Sequence, residues 1–214
     1  MMVERLIERF FWQDALLHRV FRQIADMGGA SVPILPLEYC EQLVTEAKTS
    51  GYLFMPELAE QGKPGTKVYQ ELETVTDFPR DSGSSLLKYT FEVELKEYTH
   101  ALFPYPFTLT PYFNSVTLAR YPKGSIGITP HMDHLKYKNL LCIFVLAGKG
   151  KFFLCNDRQG NNAKEIDASV GNIIFLRCPG FRGIEKRPFH FLSNIDETRY
   201  SLVLRQEDPS YTAP

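Results

Sequence analysis

Residues 139–156 read Asn139-Leu140-Leu141-Cys142-Ile143-Phe144-Val145-Leu146-Ala147-Gly148-Lys149-Gly150-Lys151-Phe152-Phe153-Leu154-Cys155-Asn156. Two β-rich runs, 139–147 and 151–156, are separated by a break that carries two glycines. The same texture holds from Phe107 onward. Runs at 113–121, 125–133, 164–168, 172–177, 188–193 and 198–205 alternate with turn residues, and Gly160, Gly171 and Gly180 fall in further breaks. Many short strands at regular spacing predict a sandwich or barrel.

The first half has a different period. Over residues 3–26, Val3, Leu6, Ile7, Phe10, Leu17, Phe21 and Ile24 recur at helical spacing, and Gly28-Gly29 ends the pattern. A second helix is expected from Pro36 to Gly51, and a third from Ser84 or Ser85 to about Leu102. Residues 52–82 mix Gly, Pro and charge and read as irregular structure with short strands. Helices first and strands afterwards give an α+β order. The expectation is one domain over 1–214, with a helical N-terminal extension (1–106) packed on one outer face of a β core (107–208).

Composition narrows the class. The chain has 214 residues, 44% hydrophobic and 23% charged, which excludes a disordered or collagen-like chain. Its 24 basic and 25 acidic residues exclude a whole-protein cationic field for nucleic acid. The charge is unevenly placed: residues 1–100 hold 10 basic and 16 acidic side chains, residues 101–214 hold 14 and 9. Cys40, Cys142, Cys155 and Cys178 show no metal-finger spacing, and the last three sit in apolar runs, so a reducing, cytoplasmic location is expected. Glu4, Arg5, Glu8 and Arg9 break the N-terminal apolar stretch, so no signal peptide and no membrane partner are expected.

The chemistry concentrates in Thr129-Pro130-His131-Met132-Asp133-His134. Residues two apart on an extended strand share a face, so His131 and Asp133 would present an imidazole beside a carboxylate. His190, in Arg187-Pro188-Phe189-His190-Phe191, is the only later histidine. Two histidines and one carboxylate leave open positions suited to non-heme Fe(II) with a co-substrate and O₂. His134 would face the other way and is read as a rim residue. Nine residues after His190 comes Arg199-Tyr200-Ser201-Leu202-Val203-Leu204-Arg205, in which Arg199, Ser201, Val203 and Arg205 share one face. An enclosed Arg199 needs an anionic partner. A bound dicarboxylate and a salt bridge to Asp167 both meet that need.

The order H-x-D, distal His, R-x-S over residues 113–206 resembles the Fe(II)/2-oxoglutarate-dependent dioxygenase superfamily. Leu118-Ala119-Arg120-Tyr121-Pro122 is similar to its tyrosine-bearing strand, and Gly171-Asn172-Ile173-Ile174-Phe175-Leu176 to its turn and strand before the distal His. The resemblance implies a double-stranded β-helix, a form of jelly roll. It implies His131, Asp133 and His190 as metal ligands, and Tyr121, Arg199 and Ser201 on 2-oxoglutarate, with Arg205 either a second co-substrate contact or a rim residue. It also implies oxidation of a C–H bond with release of succinate and CO₂. Phe113-Asn114-Ser115 and the Arg199/Arg205 pair are AlkB-like, whereas Ala119 replaces the Asn usual there.

Three functions follow: hydroxylation of a small molecule, AlkB-like dealkylation of nucleic acid, and a non-catalytic jelly-roll metal-binding protein. The acidic balance of 52–82 favours the first. Basic residues at Lys136, Lys138, Lys149 and Lys151, and at Arg177, Arg182, Lys186 and Arg187, make an anionic substrate the expectation.

Overall fold

The computed structural model describes residues 14–61 and 67–212. The first helix, α1, is Asp14–Met27; its predicted upstream part, with Val3, Leu6, Ile7 and Phe10, lies outside the described residues. Helix α2 is Leu37–Thr49 and α3 is Gly83–His100. Gly28, at φ +91°, closes α1 by donating its N–H to the Ile24 carbonyl at 2.9 Å. The left-handed backbone there suits glycine. At the other end of its helix, the Ser82 hydroxyl caps α3 by accepting from the Ser85 N–H.

Among the described residues, nine antiparallel strands form one sheet that folds over on itself. They are β1 (Gly29–Pro33), β2 (Met55–Gln61), β3 (Val68–Val75), β4 (Ser115–Tyr121), β5 (Gly127–His131), β6 (Tyr137–Cys155), β7 (Lys164–Ile166), β8 (Asn172–Arg177) and β9 (Phe189–Glu207). The order is β1-β8-β6-β9-β4-β3-β2, with β5 on β3 and β9, and β7 on β6. This is the expected α+β jelly roll with helices on one outer face. Two details depart from the expectation. The runs 139–147 and 151–156 are one strand, as are 188–193 and 198–205, because β6 and β9 stay paired round the bend. Strands also enter the sheet from before residue 107: β1 pairs β8, and β2 and β3 form a hairpin joined to β4.

Strand alternation divides the apolar residues into two cores. Cys142, Phe144, Ile173, Phe175, Leu202 and Leu204 face the helices, where Phe21, Ile24, Leu43, Leu87, Phe91 and Leu95 cover them. Phe91 meets Phe144 edge-on at 5.0 Å and stacks on Phe113 at 5.7 Å. Leu141, Val145, Phe152, Ile174, Leu176, Leu192 and Val203 face the interior of the roll. Strand β8 is buried along its whole length because it has a core on each side. Each large side chain so enclosed contributes on the order of 1.5–3 kcal/mol.

Candidate metal centre and the cavity behind it

Strand β5 ends at His131, so Asp133 stands on the stretch that leads into β6 and not on a strand, contrary to the alternation argument. The donors still converge. One ligand atom from each of His131, Asp133 and His190 lies within 4.8 Å of the others. His190 reaches them because β9 pairs with β5, with His131 opposite His190. The two rings are 4.3 Å apart, and His190 Nε2 is 3.3 Å from Asp133 Oδ2.

Each imidazole has a main-chain carbonyl against its Nδ1. With Nδ1 protonated, His131 donates to the Thr129 carbonyl at 2.9 Å, and His190 Nδ1 faces the Pro188 carbonyl at 3.4 Å. Each Nε2 lone pair is thereby left for a cation. Burial, and after it the neighbouring His131, pull the His190 pKa down to about 4. Its neutral form therefore dominates at pH 7. His134 stays outside the set, on the cavity rim, with its ring edge-on to Tyr211 at 5.3 Å.

Two hollows meet at this cluster. A small one of about 70 Å³ runs inward to Tyr121, Arg199 and Ser201. A larger one of about 550 Å³ opens outward over the sheet face of β3, β4 and β9. His131, Asp133 and Arg205 line both. β4 and β9 set the inner wall: Tyr121 pairs with Arg199 and Ala119 with Ser201.

The inner wall is chemically incomplete. Arg199 is 1% exposed, its Nη1 donates to the Ala168 carbonyl at 3.2 Å, and its buried Nε has no partner among the described residues. The buried Ser201 hydroxyl and Arg205 Nε also lack partners among the described residues. Burial lowers the Arg199 pKa to about 10, with Tyr121 acting in the opposite direction, and the guanidinium keeps its charge at neutral pH. Asp167 does not answer it, because its carboxylate accepts from Ser169 instead. Arg205 donates to the Thr117 hydroxyl at 3.0 Å and lies over the Tyr137 ring.

The expected basic lining is thinner than the sequence suggests. Lys136 and Lys138 pair with Glu207 and Asp208, and Lys149 and Lys151 with Glu197 and Glu165. Arg177 is buried against α1, and Arg182 lines a separate hollow beside Phe103. Among the described residues that line the outer cavity, Arg187 and Arg205 are the arginines and Asp133 is the acid. Sequence reasoning missed the cavity's β3 wall, Val68, Gln70, Leu72 and Thr74. Their alternation with the outward Tyr69, Glu71 and Glu73 was the available signal.

No protein-family model and no curated protein matches the chain. Solved structures do. A prolyl hydroxylase from Trichoplax adhaerens, in complex with a hypoxia inducible factor oxygen degradation domain peptide fragment, superposes with a TM-score of 0.67. That match has 16% identity over 91% of this chain and 90% of that one. A 2OG-Fe(II) oxygenase family oxidoreductase from Burkholderia pseudomallei gives 0.59, with 14% identity over 91% of each chain. The viral collagen prolyl hydroxylase of Paramecium Bursaria Chlorella virus-1, as a 2OG complex, gives 0.56 and 14% identity over 85% and 96%. At such identities the likeness establishes a shared fold.

Proposed function

We propose that this protein is an Fe(II)/2-oxoglutarate-dependent dioxygenase that hydroxylates a C–H bond of a small anionic substrate, releasing succinate and CO₂. One observation carries the reading. A buried arginine without a counter-charge among the described residues ends a cavity that begins at two histidines and an aspartate. Such an arginine is costly unless an anion completes it. The donor set fits Fe(II), and the orphaned Arg199 Nε and Ser201 hydroxyl fit the far carboxylate of 2-oxoglutarate.

When bound, the iron and its co-substrate supply the oxidising chemistry with O₂. The chain's own residues bind and orient. His131, Asp133 and His190 would hold the metal. Arg199, with Ser201 and Tyr121, would fix the co-substrate's outer carboxylate, and Arg205 stands where the two cavities join. Ile128, Leu192 and Val203 line the inner hollow and keep it apolar between its polar ends. The outer cavity takes the substrate, and Arg187 and Arg205 give it a positive bias towards a carboxylate or phosphate. Four free cysteines fit a reducing cytoplasm.

The test is succinate release with Fe(II) and 2-oxoglutarate over a panel of substrates. The panel comprises carboxylated and phosphorylated metabolites with their neutral esters, proline peptides, and alkylated oligonucleotides. Turnover of an anion but not its ester is expected. Turnover confined to oligonucleotides or peptides would replace the substrate class. In parallel, His131→Ala or His190→Ala should remove the charge-transfer absorption that Fe(II) and 2-oxoglutarate give anaerobically. An unchanged band in either variant would refute the ligand set.

A further inference from the structure

Two arginines outside the ligand set tie it to the end of α1, and we propose that Arg187 and Arg177 are positioning residues for the metal ligands. The proposal rests on the metal reading above. Arg187 Nη1 donates to the main-chain carbonyl of Asp133. That carbonyl belongs to the stretch between β5 and β6, where no ladder holds the backbone. Arg187 itself precedes Pro188, whose carbonyl faces His190 Nδ1. One guanidinium thus spans from the segment that carries His190 to the segment that carries Asp133.

Arg177 fixes the base of that span. Its Nε donates to the Lys186 carbonyl at 2.8 Å. Its Nη1 donates to the carbonyls of Ile24, at 3.2 Å, and Ala25, in the last turn of α1. That turn has no basic residue of its own, so Arg177 brings the cation its carbonyl end favours. The Arg177 N–H also donates to the Gly28 carbonyl at 2.8 Å. Pro188 lies so close to Gly28 that a Cβ there would sit 2.7 Å from the proline's Cβ. Segment 186–188 is therefore seated on the helix end, and Arg187 reaches from that seat to Asp133.

Arg187 acts on one main-chain carbonyl, and Arg177 on three that lie in different directions. A planar fork of fixed donors meets the Arg177 geometry and the point charge of a lysine does not, whereas the single Arg187 contact is one a lysine makes in part. Groups that orient metal ligands in this way are worth about 10- to 100-fold in metal affinity.

The experiment titrates the full chain with Mn(II), read by EPR, and anaerobically with Fe(II) plus 2-oxoglutarate, read by absorption. Arg187→Met keeps much of the side-chain volume and removes the donors. It should weaken Mn(II) binding about 10- to 100-fold and shift the charge-transfer band, while the urea midpoint stays near wild type. Arg187→Lys should recover part of the affinity. Arg177→Lys should weaken binding in the same direction. Wild-type affinity and band in Arg187→Met would overturn the Arg187 role with the metal reading intact, and wild-type affinity in Arg177→Lys would overturn the role of Arg177. A wild-type chain that takes up no metal would overturn both the metal reading and this proposal.

Discussion

Removing a guanidinium from water costs several kcal/mol, and Arg199 recovers little of that from one carbonyl at 3.2 Å. The native chain tolerates the cost because strand pairing fixes Arg199 opposite Tyr121, at the head of the inner hollow. An incoming carboxylate would relieve it. Arg199→Lys should therefore weaken 2-oxoglutarate by the equivalent of about 2–5 kcal/mol while Mn(II) affinity stays near wild type. Calorimetry on the two proteins measures both, and equal 2-oxoglutarate affinity would exclude the role. The placement of such residues is legible in sequence, because strand alternation puts Arg199 and Ser201 on one face, and both line the inner hollow. Arg187 was less so. Its partner is a main-chain carbonyl on another segment, and no side-chain pattern reports such a contact.

Strand β6 shows why element boundaries were harder to read than the elements themselves. Gly148 and Gly150 read as punctuation in sequence, yet the ladder to β9 runs past them with register shifts. Gly148 has φ +79°, and a Cβ there would lie 2.1 Å from the Thr198 carbonyl oxygen. The glycine lets two backbones pass at the corner of the roll; it does not end a strand. Gly148→Ala should cost at least about 1–3 kcal/mol, through the positive φ and the backbone clash together. A urea midpoint equal to wild type would show that the corner can relax. The β2–β3 hairpin was obscured for a related reason. Charged residues on one face of β3 conceal the neutral face, from Val68 to Thr74, that walls the outer cavity.

At the scale of the whole molecule, the two cores separate folding from chemistry. The helices cover one sheet face, the His131, Asp133 and His190 cluster opens from the other, and buried thiols stand on both sides: Cys40 and Cys142 under the helices, Cys178 by the interior. Burial raises the pKa of all three, and that of Cys40 is pushed up to about 11 from 9.0. The sign of the consequence is definite. Between pH 9 and 11 the unfolded chain loses the Cys40 proton while the folded chain keeps it. The unfolded state then binds fewer protons, and stability falls as pH rises. The contribution is fully present below about pH 9 and is lost as pH approaches 11, at a cost of up to about 2–3 kcal/mol from this thiol. Urea midpoints at pH 7.5, 9 and 10.5 should decline for wild type. Cys40→Ala should start lower, from lost packing, and decline less steeply. Other groups titrate in this range, so the difference between the two slopes is the quantity to read. Parallel slopes would mean that Cys40 ionises as readily in the folded protein as in the unfolded chain, and that water reaches the helix-side core.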